Sequence, residues 1–195
     1  MNEPRELFKK NGYTLLKNIV HPDLVNAISK YALLKEAYSF SPDSQQVVDA
    51  HAVYGDFLME GLLLQYQPIV EWATGLKLLP TYSFYRVYRR GQELVKHTDR
   101  PSCEISMSVC YNFDYKGKDY DWNLYMNGTP IRMEPGDGAV YRGVDVEHWR
   151  EPLNVPRDSY HIQCFYHYVD ANGPYTEYAF DQKSTSHLHY LIDIL

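Results

Sequence analysis

The chain has 195 residues, enough for one domain with a substantial core and too few to divide comfortably into two. Its formal net charge of −6 disfavours nucleic-acid phosphate as a main partner, because the only basic cluster, Arg86, Arg89 and Arg90, is short and interrupted. No apolar run approaches the roughly 20 residues of a membrane-spanning helix.

The opening "MNEPRELFKK" lacks the apolar stretch of a secretory signal, and three cysteines without a CxxC pair suit a reducing compartment. A cytoplasmic protein is expected. A short strand is predicted around Tyr13–Val20, then a helix with Pro22 in its first turn and Leu24, Ile28, Tyr31 and Leu34 on one face. "SFSPDSQQVVDAHAVYG" reads as a loop. A second helix is predicted over Phe57–Ala73, ended by Gly75. Apolar residues surround most of it (Leu62, Leu63, Leu64, Ile69, Val70, Trp72), which predicts deep packing.

From Pro80 the pattern becomes β. "TYSFYRVYR", "EISMSVCYNF", "NLYM", "IRM", "GAVYRG" and "YHIQCFYHYV" are short runs separated by turn chemistry in "YKGKDYD", "MNGTP" and "EPGDG". Strands at this spacing point to a sandwich or barrel, and the nineteen tyrosines suit half-buried strands around a polar cavity. The outline divides into supporting elements over 1–79, a β core over 80–170, and a strap or tail over 171–195.

Chemistry enters at "VKHTDRPSCE". On a strand, residues two apart share a side, so His97 and Asp99 can turn into one cavity. About 50 residues of short strands later comes His148, in "GDGAVYRGVDVEHWRE", where a β-sandwich can return the chain beside its start. Two histidines and one carboxylate can hold one face of an iron ion and leave three positions open.

"YRRGQELVKHTD" resembles the Tyr-x-x-Gly … His-x-Asp pattern of the Fe(II)/2-oxoglutarate-dependent dioxygenases, in particular their prolyl-hydroxylase-like branch. "GDGAVYRG…EHWRE" is similar to the later Gly-Asp strand and distal histidine of that superfamily, and "NGYTLLKNIVHPDLVNAI" to its N-terminal strand and helix. The resemblance covers roughly residues 10–170. It implies a mostly β fold with supporting helices, the double-stranded β-helix or jelly roll. It implies His97, Asp99 and His148 as Fe(II) ligands and 2-oxoglutarate as co-substrate. Dioxygen and a small-molecule or peptidyl substrate would complete the reaction, a hydroxylation that releases succinate and carbon dioxide.

The far carboxylate of 2-oxoglutarate needs a fixed cation. The family position is met nearest by Arg157, with Ser159 two further on. Arg150, on the His148 side of a continuing strand, is the other candidate, and Tyr88 or Tyr111 could add a hydroxyl. The nucleic-acid demethylating branch uses a second arginine six residues after the first, where this chain has Gln163. His161, Gln163, Phe165 and His167 alternate along one strand and are expected to face the cavity, as hydrogen-bonding groups. Cys103 and Cys110 read as core residues and His187 and His189 as surface. Two other functions fit the same residues: a cupin-like metal enzyme that does not use 2-oxoglutarate, and a β-sandwich binding module with no metal.

Overall fold

A computed structural model describes residues 4–43 and 46–183; His187 and His189 and the end of the expected strap lie outside them. Three helices, α1 (Pro4–Asn11), α2 (Pro22–Tyr38) and α3 (Phe57–Thr74), precede most of the sheet. The strands are β1 (Tyr13–Leu16), β2 (His51–Tyr54), β3 (Leu78–Tyr88), β4 (Leu94–His97), β5 (Ile105–Asp114), β6 (Leu124–Met126), β7 (Thr129–Ile131), β8 (Gly138–Arg142), β9 (His148–Arg150) and β10 (Tyr160–Asp170). From β3 onward the chain passes back and forth between two antiparallel sheets, ordered β1-β8-β5-β10-β3-β2 and β4-β9-β6-β7. That winding is a jelly roll. No helix among the described residues is long and apolar enough to cross a membrane.

Period-two alternation explains how the large sheet serves two purposes. In β10, Ile162, Cys164, Tyr166 and Tyr168 turn outward and join Tyr85, Val87, Met107, Val109 and Tyr111 against the helices. The helices answer with Phe8, Ile28, Ala32, Met59, Leu62, Leu63 and Val70, all buried. The intervening residues, His161, Gln163, Phe165 and His167, face the smaller sheet together with Tyr82, Phe84, Arg86 and Tyr88 of β3. One face is therefore the apolar core and the other is a polar, aromatic interior. Asp56 caps α3 by accepting from Leu58 N at 3.1 Å, and its other oxygen accepts from Tyr31 Oη and Lys35 Nζ of α2, which ties the two helices together.

Several expectations are corrected. The segment read as a loop contains β2, an edge strand paired with β3. The strand expected over Tyr13–Val20 ends at Leu16, and α1 is an addition that rests on one buried side chain, Phe8. Leu34 and Trp72, expected in packed faces, are exposed. The strand expected at "IRM" lies two residues earlier. Asn127 and Gly128 both adopt positive φ (46° and 83°), the two-residue hairpin turn that joins β6 directly to β7. Pro130 is tolerated there because β7 is an edge.

Candidate metal centre and the cavity above it

β4 and β9 are neighbours, and their register sets His97 opposite His148. Each imidazole is oriented by the backbone two residues before it: His97 Nδ1 donates to Val95 O at 2.7 Å and His148 Nδ1 to Val146 O at 2.9 Å. A carbonyl can only accept, so in both rings the proton sits on Nδ1 and the Nε2 lone pair is free. Both lone pairs turn toward one carboxylate oxygen. Asp99 Oδ1 lies 3.5 Å from His97 Nε2 and 3.6 Å from His148 Nε2. These separations are long for hydrogen bonds and close to the ~3 Å between groups that share one ion at bonds of about 2.1 Å. The donor set of two neutral imidazoles and a carboxylate fits a divalent ion of intermediate hardness.

Asp99 itself is not on the strand. β4 ends at His97, and Asp99 is held in the following loop by its N–H bond to Gly143 O at 2.8 Å. Burial alone would raise the Asp99 pKa, but the His97 contact and the imidazoles of His148 and His167 outweigh it and hold the carboxyl below its ordinary value. Burial opposes charge on His97 too, yet the Asp99 contact and the Val95 carbonyl raise its pKa. Burial lowers that of His148.

Gly143 shows how tightly this is built. A Cβ there would stand 2.1 Å from Cys103 O and 2.5 Å from Asp99 Oδ2. Gly143→Ala is expected to cost roughly 1–3 kcal/mol of stability by overpacking and to displace the carboxylate. Thermal unfolding of the apo-protein, followed by an Fe(II) titration, checks both effects; wild-type iron affinity in the variant would show that Asp99 has room to spare. Gly143 lies in the turn that follows β8, closed by the Asp145 and Val146 N–H bonds to Arg142 O, so it must both turn and allow close approach.

Beside the three residues opens a cavity of about 690 Å³, whose walls include Tyr82, Phe84, Arg86, Arg100, Phe165 and His167. Residues Ser41, Pro42, Asp43 and Gln46 close one side, so the segment before β2 is a wall of the site. Cys103 also lines the cavity and lies with Asp99 and His167 in a second possible ligand group, but burial pushes its thiol up to about 12, which disfavours the thiolate a metal needs. Cys110 is buried in the core, as expected.

Arg150 does not line this cavity but shares β9 with His148. Its position in β9 repeats that of His148, and it is 2% exposed. The guanidinium donates to Trp122 O and to Gln163 Oε1 and lies over the Trp122 ring, 4.6 Å from its centre. Gln163 donates onward to Ser108 Oγ at 2.7 Å, and His161 bridges Gln163 and the Tyr115 hydroxyl. No carboxylate among the described residues pairs with Arg150. Within reach of its charge is Tyr88, whose buried hydroxyl has no partner among the described residues. A buried cation and a buried unpaired donor side by side are costly unless something anionic completes them.

The other candidates fall elsewhere. Arg157 is exposed in the turn before β10, outside the cavity lining, because that strand starts only at Tyr160. Ser159 is buried, its hydroxyl has no partner among the described residues, and its carbonyl accepts from Arg89. Tyr111 points away into the helix layer, where its hydroxyl meets Tyr66 and Tyr166. His161 and His167 are both held neutral by burial, His167 with a pKa lowered to about 4. Above the ordinary value of 6.5 they are uncharged in folded and unfolded chains alike. Below it the unfolded chain takes up protons that the folded chain refuses, costing about 1.4 kcal/mol per pH unit for each histidine. The thermal midpoint of the apo-protein should therefore drop between about pH 6.5 and 5, less steeply in His167→Gln; an unchanged midpoint would contradict burial of the neutral forms.

No protein-family model matches the chain, and no curated protein matches it in sequence. Solved structures do match in shape. A Pseudomonas putida prolyl-4-hydroxylase is 16% identical with a TM-score of 0.64, over 84% of this chain and 96% of its own. The non-heme alpha-ketoglutarate-dependent carbocyclase SnoK of nogalamycin biosynthesis is 14% identical with a TM-score of 0.69, over 97% and 90%. EctD from S. alaskensis with bound Fe is 13% identical with a TM-score of 0.65, over 87% and 76%. This chain has their fold. At such identities the likeness establishes the jelly roll, and the chemistry has to rest on this chain's own residues.

Proposed function

We propose that the protein is an Fe(II)- and 2-oxoglutarate-dependent oxygenase that hydroxylates its substrate and releases succinate and carbon dioxide. The observation that carries this reading is the pairing of two features in one barrel. Two imidazole nitrogens with free lone pairs converge on the Asp99 carboxylate, and two residues along β9 from His148 a buried guanidinium has no carboxylate partner among the described residues. Among the fold neighbours, SnoK is named as alpha-ketoglutarate dependent and EctD carries iron, which agrees with this assignment.

His97, Asp99 and His148 would hold the iron, which supplies oxygen activation when bound. Arg150 and Tyr88 would anchor the far carboxylate of 2-oxoglutarate: the guanidinium gains a counter-ion in a medium where charge pairing is strong, and the Tyr88 hydroxyl gains an acceptor. Trp122, Gln163 and Ser108 keep Arg150 from swinging away. The aromatic walls, Tyr82, Phe84 and Phe165, limit water at the reacting face. Arg157 has no support for the anchoring role. Three buried, unpaired cysteines agree with a reducing compartment.

Metal analysis after anaerobic loading tests the reading against a binding module. One Fe(II) per chain is expected in the wild type and none in His148→Ala. A wild-type protein that keeps no iron would leave only the binding-module alternative.

A further inference from the structure

The substrate's own handle can be read from Arg86, a residue of β3 that the metal and co-substrate assignments leave unused. By alternation it shares the inward face with Tyr82, Phe84 and Tyr88. It lines the cavity, is 4% exposed, and its charge bears on both His97 and His167. The guanidinium lies 4.5 Å from the Phe84 ring centre and 5.4 Å from that of Phe165, so its plane is fixed. One edge is engaged: Nε donates to Asp43 Oδ2 at 2.7 Å and Nη2 to Gln46 Oε1 at 2.5 Å. Nη1 makes no hydrogen bond to any described residue, on a side chain that lines the cavity. A planar cation held on one edge and open on another is the arrangement that receives an oxyanion.

We infer that the substrate is a small organic anion whose carboxylate is received by the open edge of Arg86 beside the metal. This rests on the oxygenase reading and adds the substrate class to it. The cavity of about 690 Å³ must also admit the co-substrate, which keeps the substrate small. A merely structural Arg86 would serve to pin Asp43 and Gln46 to β3, and the two roles differ in what Asp43 does. If Arg86 only pins, Asp43→Asn should behave like Arg86→Met. If Arg86 receives the substrate, Asp43→Asn removes a competing carboxylate and binding is kept or tightened.

The experiment uses the anaerobic Fe(II) and 2-oxoglutarate complex and its visible charge-transfer band. Short-chain and aryl-substituted monocarboxylates are added, each beside its own primary amide. Acids but not amides should perturb the band in the wild type. Arg86→Met should keep the band and weaken the acid response roughly 10- to 100-fold, as expected when a charge-assisted hydrogen bond is lost. Asp43→Asn should respond at least as well as the wild type. Amides acting as well as acids, no response to any acid, an unchanged response in Arg86→Met, or a weakened one in Asp43→Asn would each overturn the proposal. Loss of the band itself in Arg86→Met would move Arg86 to the co-substrate and also overturn it. Absence of the band in the wild type would instead sink the oxygenase reading on which it rests.

Discussion

Asp99→Ala abolishes iron retention and turnover while leaving the fold in place. Without the carboxylate the site keeps two neutral imidazoles and nothing to balance the charge of a divalent ion. Losing even an outer partner of a ligand costs about 10- to 100-fold in metal affinity, so losing the carboxylate itself should cost more than about 100-fold. The fold should survive because Asp99 belongs to none of the three apolar clusters, and its backbone bond to Gly143 does not depend on the side chain. The apo-protein's thermal midpoint is expected within a few degrees of wild type, and metal analysis should find no iron. Full activity in the variant would remove the metal assignment.

Arg150→Met is expected to separate co-substrate from metal. The substituted side chain is of similar length and suits an apolar surrounding, and replacing a buried charge by a packed apolar group is often neutral or stabilising. Iron binding should therefore be retained, since no metal ligand hydrogen-bonds to the guanidinium. Affinity for 2-oxoglutarate should fall by roughly 100-fold, the loss of a charge-assisted pair in a dry site. Arg157→Met, in the exposed turn, should change nothing measurable. Equilibrium binding of 2-oxoglutarate to the three proteins decides it. If Arg157→Met weakened binding and Arg150→Met did not, the anchoring role would have to be reassigned.

The residues whose neighbours in sequence are also their neighbours in space were the legible ones. His97 and His148 lie in short runs with clear strand and turn chemistry, and Arg150 follows His148 by the two-residue period, so all three could be placed on inward faces. Alternation from Tyr88 back along β3 reaches Arg86 by the same rule, although beside Arg89 and Arg90 it also belongs to the chain's short basic cluster. Arg157, left open beside Arg150, lies in the turn at 157–158, with Asp158 at a φ of 67°, just ahead of β10, which begins at Tyr160 as its sequence pattern indicates. Asp43 and Gln46 reach the cavity from an irregular segment, where no periodicity exists to say which way a side chain points. Tyr111 illustrates the converse. Its strand was recognised, but which face met the helices depended on register, and a one-residue shift reverses every side chain.

The central claim is that one barrel holds both a metal and a keto-acid, and an anaerobic Fe(II) titration of the apo-protein with and without 2-oxoglutarate tests it most directly. A visible charge-transfer band should appear when both are present, and it should be absent in His148→Ala. Iron bound without such a band would contradict the account and favour a metal enzyme that does not use 2-oxoglutarate.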